Sequence, residues 1–213
     1  MRLRGRFRPN SRGRRRPRPE LAAAALLIAA ACATARPPAP GVAEKARAAH
    51  SWSGSLRVSV RGPDLRGRSR ALVAFRRPDN VRIEIPGPSG ARLVAVTAGG
   101  RLTAVLPAER AMLASAAGPQ ELEALIGIAL SPSELMDVLV GSPPNSVRTY
   151  TAEWGETLPR RVRAELLDGT RLDARVDEAE QDVELPPAAF EPPPCPGCRT
   201  IDADEARRLL GGR

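Results

Sequence analysis

Arg70-Ala71-Leu72-Val73-Ala74-Phe75-Arg76-Arg77-Pro78-Asp79-Asn80-Val81-Arg82-Ile83-Glu84-Ile85 holds two short runs of alternating character joined by turn chemistry. In the first run Ala71, Val73 and Phe75 share a face. In the second, Val81, Ile83 and Ile85 alternate with Arg82 and Glu84. A period of two puts each set on one side of a strand. Arg77-Pro78-Asp79-Asn80 has room only for a tight antiparallel return. The unit reads as a hairpin with one apolar and one charged face.

Moving outward, the signature repeats. Upstream, Leu56, Val58 and Val60 alternate with Arg57, Ser59 and Arg61. Downstream, Leu93 to Thr97 is apolar on both faces, Leu102 to Leu106 makes a fifth strand and Met112 to Ser115 a sixth. Gly62-Pro63-Asp64, Pro86-Gly87-Pro88-Ser89-Gly90 and Gly99-Gly100 supply turns. Connections this short favour an antiparallel meander over parallel crossovers.

The middle of the chain changes period. Gln120 to Ile128 sets Leu122, Leu125 and Ile126 at helical spacing. Ser131-Pro132-Ser133-Glu134 combines an N-cap, a proline at the first helical position and an acidic third residue, so a second helix starts there. It runs through Leu135, Met136, Val138 and Leu139 to Gly141, polar only at Glu134 and Asp137, and such a helix is buried. Two short helices inserted in a meander are placed to cover one face of the sheet.

Strands resume after Pro143-Pro144. Val147 to Trp154 alternates weakly. Val162, Ala164 and Leu166 alternate with Arg161, Arg163 and Glu165; Asp168-Gly169 is a hairpin turn; and Leu172, Ala174 and Val176 continue beyond it. Asp177-Glu178-Ala179-Glu180 and Asp182 read as a solvated edge or turn. Val183 to Leu185 precedes a proline-rich exit, Pro186-Pro187, and a short helix is expected from Ala203 to Leu210. Val42 to His50 has room for one or two helical turns.

The start of the chain is of another kind. Nine arginines precede Glu20, an apolar run spans Leu21 to Ala31, and Cys32 follows. A basic segment, a short apolar segment and small residues before a cleavage point describe a secretory signal. The run is too short to cross a bilayer, which takes roughly 20 residues. Ala29-Ala30-Ala31-Cys32 resembles the lipobox of bacterial lipoproteins, which implies lipidation at Cys32 as the first residue of the mature chain. The organisation expected is a signal peptide over 1–31, a Pro/Ala tether over 32–41, a domain over 42–190 and a Pro-rich tail over 191–213.

This division reassigns the charge. The whole chain carries +9 with a pI near 11.0, which taken alone suggests a nucleic-acid binder. Residues 1–31 hold nine arginines and one glutamate, leaving 24 basic against 23 acidic residues from Cys32 onward. The basicity belongs to the targeting segment, and no nucleic-acid partner is expected. Aromatic residues are only 3% of the chain, so alanine, valine and leucine must build the core.

Catalytic chemistry finds little in the sequence. The single histidine, His50 beside Ser51, has no partner set at recognisable spacing, and a nucleophile needs a base and an orienting group. No cluster shows metal spacing and no cofactor is expected. Cys195-Pro196-Gly197-Cys198 is the one local motif with chemistry: a redox dithiol, half a zinc site or a small disulfide. A Pro-rich setting and an even pair in an oxidising compartment favour a structural disulfide.

Taken together, the lipobox, Ser53-Gly54-Ser55-Leu56-Arg57-Val58, the Phe75 to Ile85 segment, the Pro86-Gly87-Pro88-Ser89-Gly90 turn, Leu130-Ser131-Pro132 and Leu158-Pro159-Arg160 resemble the LolA/LolB lipoprotein carriers, specifically LolB-like outer-membrane lipoproteins. The resemblance implies a mainly β fold, an incomplete, curved antiparallel barrel with short helices over its concave face. It also implies an apolar cavity for the acyl chains of lipoproteins or lipids, a membrane anchor facing the periplasm, a periplasmic LolA-like donor, a monomer, and no enzymatic activity. Val58, Val73, Phe75, Val81, Ile83, Ile85, Val162 and Leu166, under Leu125, Leu135 and Leu139, are the residues expected to line that cavity. The family's membrane-inserting turn carries a bulky apolar residue; Pro86 to Ala91 carries none. Two other readings stand beside this one, an envelope scaffold that binds a protein partner and a thiol oxidoreductase using Cys195 and Cys198.

Overall fold

The computed structural model describes residues 37–62 and 66–211. They form one ten-stranded sheet, mainly antiparallel and not closed into a barrel, with four short α-helices. Chain order is α1 (Val42–Arg47), β1 (Ser51–Arg61), β2 (Arg66–Arg76), β3 (Asn80–Gly87), β4 (Gly90–Ala98), β5 (Arg101–Leu106), β6 (Ala111–Ala116), α2 (Pro119–Ile126), α3 (Pro132–Leu139), β7 (Val147–Trp154), β8 (Pro159–Leu166), β9 (Arg171–Gln181), β10 (Arg199–Ile201) and α4 (Ala203–Gly211).

In space the strands run β10-β6-β5-β4-β3-β2-β1-β9-β8-β7. Two meanders, β1 to β6 and β7 to β9, meet where β9 pairs with β1. Strands β6 and β7 lie at or beside opposite edges, so the chain between them must traverse the sheet. Helices α2 and α3 make that traverse, and their apolar sides bury Leu122, Leu125, Leu135, Met136, Val138 and Leu139. The topology itself puts a helical cover on one face.

That inner face carries the main core, with Leu56, Val60, Val73, Phe75, Ile83, Leu93 and Leu102 at 6% exposure or less. The apolar doubling of Leu93 to Thr97 also has a place. Leu93 and Ala95 enter the main core, while Val94 and Val96 pack on the outer face under Phe190, carried by a 3-10 turn at Pro187–Phe190.

Asp177 to Gln181 is the solvated edge expected there and not a turn: it extends β9 against β1, past a register shift at Ser55/Leu56, while the ladder to β8 ends at Arg175. Val183 to Leu185 leaves the sheet: Asp182 takes a positive φ of 56°, which turns the chain off it. The meander is not purely antiparallel, since β10 adds to β6 in parallel. Ile201 and Ala206 are buried in the main core, so the chain after residue 191 returns to the sheet.

Candidate functional site

Between the inner face and the helical cover lies an apolar cavity of about 70 Å³. Strand β1 contributes Leu56, Val58 and Val60; β2 contributes Ala71 and Val73; β3 contributes Ile83 and Ile85; β9 contributes Leu172 and Ala174. Ile126, Ile128, Leu135 and Leu139 close it from the α2 to α3 segment. The sheet register makes this wall. Leu56 stands opposite Ala71, Val73 opposite Ile83, Val58 opposite Ala174 and Val60 opposite Leu172.

The cavity has a deep end and a mouth. Leu56, Val73, Ile83, Leu139 and Ala174 are buried, whereas Val58, Ile85 and Ile126 are half-buried and Ser69, the one polar lining residue, is exposed. The volume is well below the roughly 300–1,000 Å³ of ordinary ligand pockets, and below the ~150 Å³ that holds one benzene. The expected open concavity is instead largely filled by α2 and α3.

Of the eleven residues expected to line a cavity, six surround this one: Val58, Val73, Ile83, Ile85, Leu135 and Leu139. The other five are buried elsewhere in the core. Phe75 stacks on Trp52 with ring centroids 5.8 Å apart, and the Arg77 guanidinium lies 6.0 Å from its ring centre. Val81, beside it toward the β3 turn, and Val162, Leu166 and Leu125 fill the core away from the cavity. Sequence reading missed Leu56, Val60, Ala71, Leu172 and Ala174, which alternate in phase with residues it named. The missing information was strand order, above all the pairing of β9 with β1.

Polar contacts fix the cover. The Ser131 hydroxyl accepts from the Glu134 backbone N–H at 3.3 Å, and the Glu134 carboxylate accepts from the Ser131 backbone N–H at 2.8 Å, a complete capping box on α3. Glu134 also accepts from the Ser146 hydroxyl at 2.7 Å. Burial pushes its carboxyl upward, but these hydrogen bonds outweigh that and hold it below its ordinary value. Arg77 in the β2–β3 turn donates to the Asp137 carboxylate at 2.7 Å and to the Ala49 carbonyl at 3.2 Å. The Tyr150 hydroxyl donates to the Val138 carbonyl at 2.8 Å, and burial raises its pKa well above the usual phenol value.

The remaining candidates are apart from this region. Cys195 and Cys198 are joined as a disulfide in a tight turn, with no helix starting at either, and α4 begins only at Ala203. His50 is exposed at the α1 to β1 junction, and its backbone N–H donates to Asp182 at 2.9 Å. Among the described residues no group of three or more His, Cys, Asp or Glu is placed to hold a metal ion, and no helix is long and apolar enough to cross a membrane. Cys32 lies outside the described residues.

No family model matches the chain, and no curated protein does. Among solved structures it is similar to a LolA superfamily protein from Nitrosomonas europaea, at 15% identity and a TM-score of 0.44, covering 74% of this chain and 99% of that one. It is also similar to an outer membrane lipoprotein-sorting protein domain from Vibrio parahaemolyticus, at 6% identity and 0.41, covering 70% and 94%. A DUF1329 family protein from Desulfovibrio piger aligns at 10% identity and 0.37, covering 70% and 92%.

Proposed function

We propose that this chain is a lipid-anchored envelope protein that takes up acyl chains of lipoproteins or lipids between its sheet and the α2–α3 cover, in outer-membrane lipoprotein localisation. The observation that carries the reading is the cavity. Its wall is aliphatic from β1, β2, β3, β9, α2 and α3, with a single hydroxyl at the mouth. An acyl chain needs apolar surface and no specific polar partner. Withdrawing a chain of about 16 carbons from water gains on the order of 10 kcal/mol, at ~0.8 kcal/mol per methylene.

A closed cavity of about 70 Å³ admits a chain only if α2 and α3 move outward. The Arg77–Asp137, Tyr150–Val138 and Ser146–Glu134 contacts are among the side-chain ties that resist this movement. Anchoring at Cys32, a position facing the periplasm on the outer membrane, delivery by a LolA-like carrier and a monomeric, non-enzymatic role complete the proposal on the sequence resemblance. The scaffold reading draws on one observation, the small empty volume. Against it, the large hydrophobics exposed among the described residues, Leu72 and Leu167, lie on different strands or loops and form no patch.

Saturable binding of a fluorescent fatty acid to the full chain in non-ionic detergent tests the reading. Replacing Leu139 by Trp is expected to abolish saturation while the circular dichroism spectrum is kept. Unchanged binding in a folded variant contradicts the cavity as the site.

A further inference from the structure

The reverse face of the strands that line the cavity carries a concentration of arginine that the net charge of +1 from Cys32 onward conceals. A groove of about 1,080 Å³ runs across β2, β1, β9 and β8 and is lined by eight arginines and three carboxylates. Sheet register sets their spacing. Arg70 is directly opposite Arg57, Arg57 opposite Arg175, and Arg175 opposite Arg161, so four guanidinium groups stand in one continuous row over four strands.

Like charges directly opposite one another destabilise a sheet. Two members of the row are partly neutralised. Arg57 donates twice to Asp177, at 2.6 and 2.9 Å, and Arg161 donates twice to Asp173, at 2.7 and 2.8 Å. These bonds hold both aspartates below the ordinary carboxylate range. Arg70 and Arg175 add only longer-range attraction to the same carboxylates. Next to the row, Arg61 and Arg68 are exposed and have no ion-pair partner among the described residues.

We propose that this groove is a binding site for a multiply anionic, phosphate-bearing ligand. Phosphate oxygens match guanidinium forks bidentately, and a ligand carrying several such groups would satisfy the uncompensated members of the row together. The groove is too large for one phosphate and sits just above the roughly 300–1,000 Å³ range of ligand pockets. Its chemistry fits a lipid headgroup or a soluble polyphosphate, and its arginines alternate with the residues that face the apolar cavity, Val58, Ser69 and Leu172 bordering both.

The test uses the full chain in non-ionic detergent, with tripolyphosphate in one arm and micelles doped with phosphatidylglycerol or phosphatidylcholine in the other. Tripolyphosphate is expected to bind and to raise the melting temperature, more so at low salt. The triple variant Arg61→Gln/Arg68→Gln/Arg70→Gln should bind at least tenfold more weakly. A variant that removes the same charge elsewhere, Arg101→Gln/Arg207→Gln/Arg208→Gln, should bind like the parent. A preference for phosphatidylglycerol, competed by tripolyphosphate, assigns the ligand to lipid headgroups; tripolyphosphate binding without that preference assigns it to a soluble anion. Equal binding by the parent and the groove variant, or none by the parent, overturns the site.

Discussion

Ile83 shows how one position links the sheet to the cavity. It is 4% exposed, stands opposite Val73, and borders the empty volume under α3. Enlarging a side chain in a filled core costs typically 1–3 kcal/mol, because neighbours must shift. At Ile83 the added ring enters existing space. Ile83→Trp should therefore lose less than about 1 kcal/mol, read from denaturant midpoints, whereas Ile83→Ala should lose about 2–5 kcal/mol by widening the void. Leu93, fully buried away from the cavity, is the control: Leu93→Trp should unfold the domain. Gly141 is a second residue whose role is set by its surroundings. Its φ is 86°, and a Cβ there would lie 2.6 Å from the Trp154 ring, so Gly141→Ala should cost roughly 1–3 kcal/mol or more.

The α3 helix is the element on which uptake depends. Its capping box makes Ser131→Ala expected to cost about 1 kcal/mol. Because Glu134 titrates below its ordinary value near 4.5, its contribution is complete above that pH and is lost as pH falls through the lowered value. Replacing Glu134 by Gln should flatten the stability profile in that acid window and leave its neutral-pH arm parallel to the parent's. The Arg77–Asp137 tie predicts a separation of effects. Arg77→Met should speed fatty-acid uptake in stopped-flow mixing with a small loss of stability, since the pair is about one-third exposed and worth little on its own. An unchanged uptake rate would mean that the cover opens elsewhere.

At this scale the sequence was informative in a graded way. The period-two runs around Leu56, Val73, Ile83 and Leu172 marked strands because alternation is a local property of the chain. The start of α3 was equally legible, since a capping box is written within four residues. Strand β10 was not: Arg199-Thr200-Ile201 is too short to show a period, and its parallel partner β6 is remote in sequence. Cavity membership was legible only in part for the same reason. Phase along a strand identified the apolar face, but only strand order tells which of those residues reach Leu135 and Leu139 and which, like Phe75, are consumed by Trp52.

Across the whole molecule, two meanders joined through β1 and β9 place an aliphatic face under a helical traverse and an arginine-rich face behind it. The net charge could not show this segregation, because the arginine row forms only when four strands come into register. The Cys195–Cys198 disulfide closes a ring containing only Pro196 and Gly197, far shorter than the 15-residue loops worth ~3 kcal/mol. A double Cys→Ser variant should therefore keep its melting temperature within a few degrees and retain acyl binding. The anchor is tested apart from the domain. Cys32→Ala should either release a soluble form or leave an uncleaved precursor, read by membrane fractionation and by mass. Persistent partitioning with membranes after signal cleavage would rule out lipidation there.

The central claim is that this closed cavity opens to hold an acyl chain, and the most direct measurement is mass spectrometry of non-covalently bound lipid extracted from the purified full chain. The account predicts about one acyl-bearing molecule per parent chain, and its loss from Ile83→Trp protein that melts as cooperatively as the parent. Absence of extractable lipid from the parent, or equal amounts from both proteins, would contradict it.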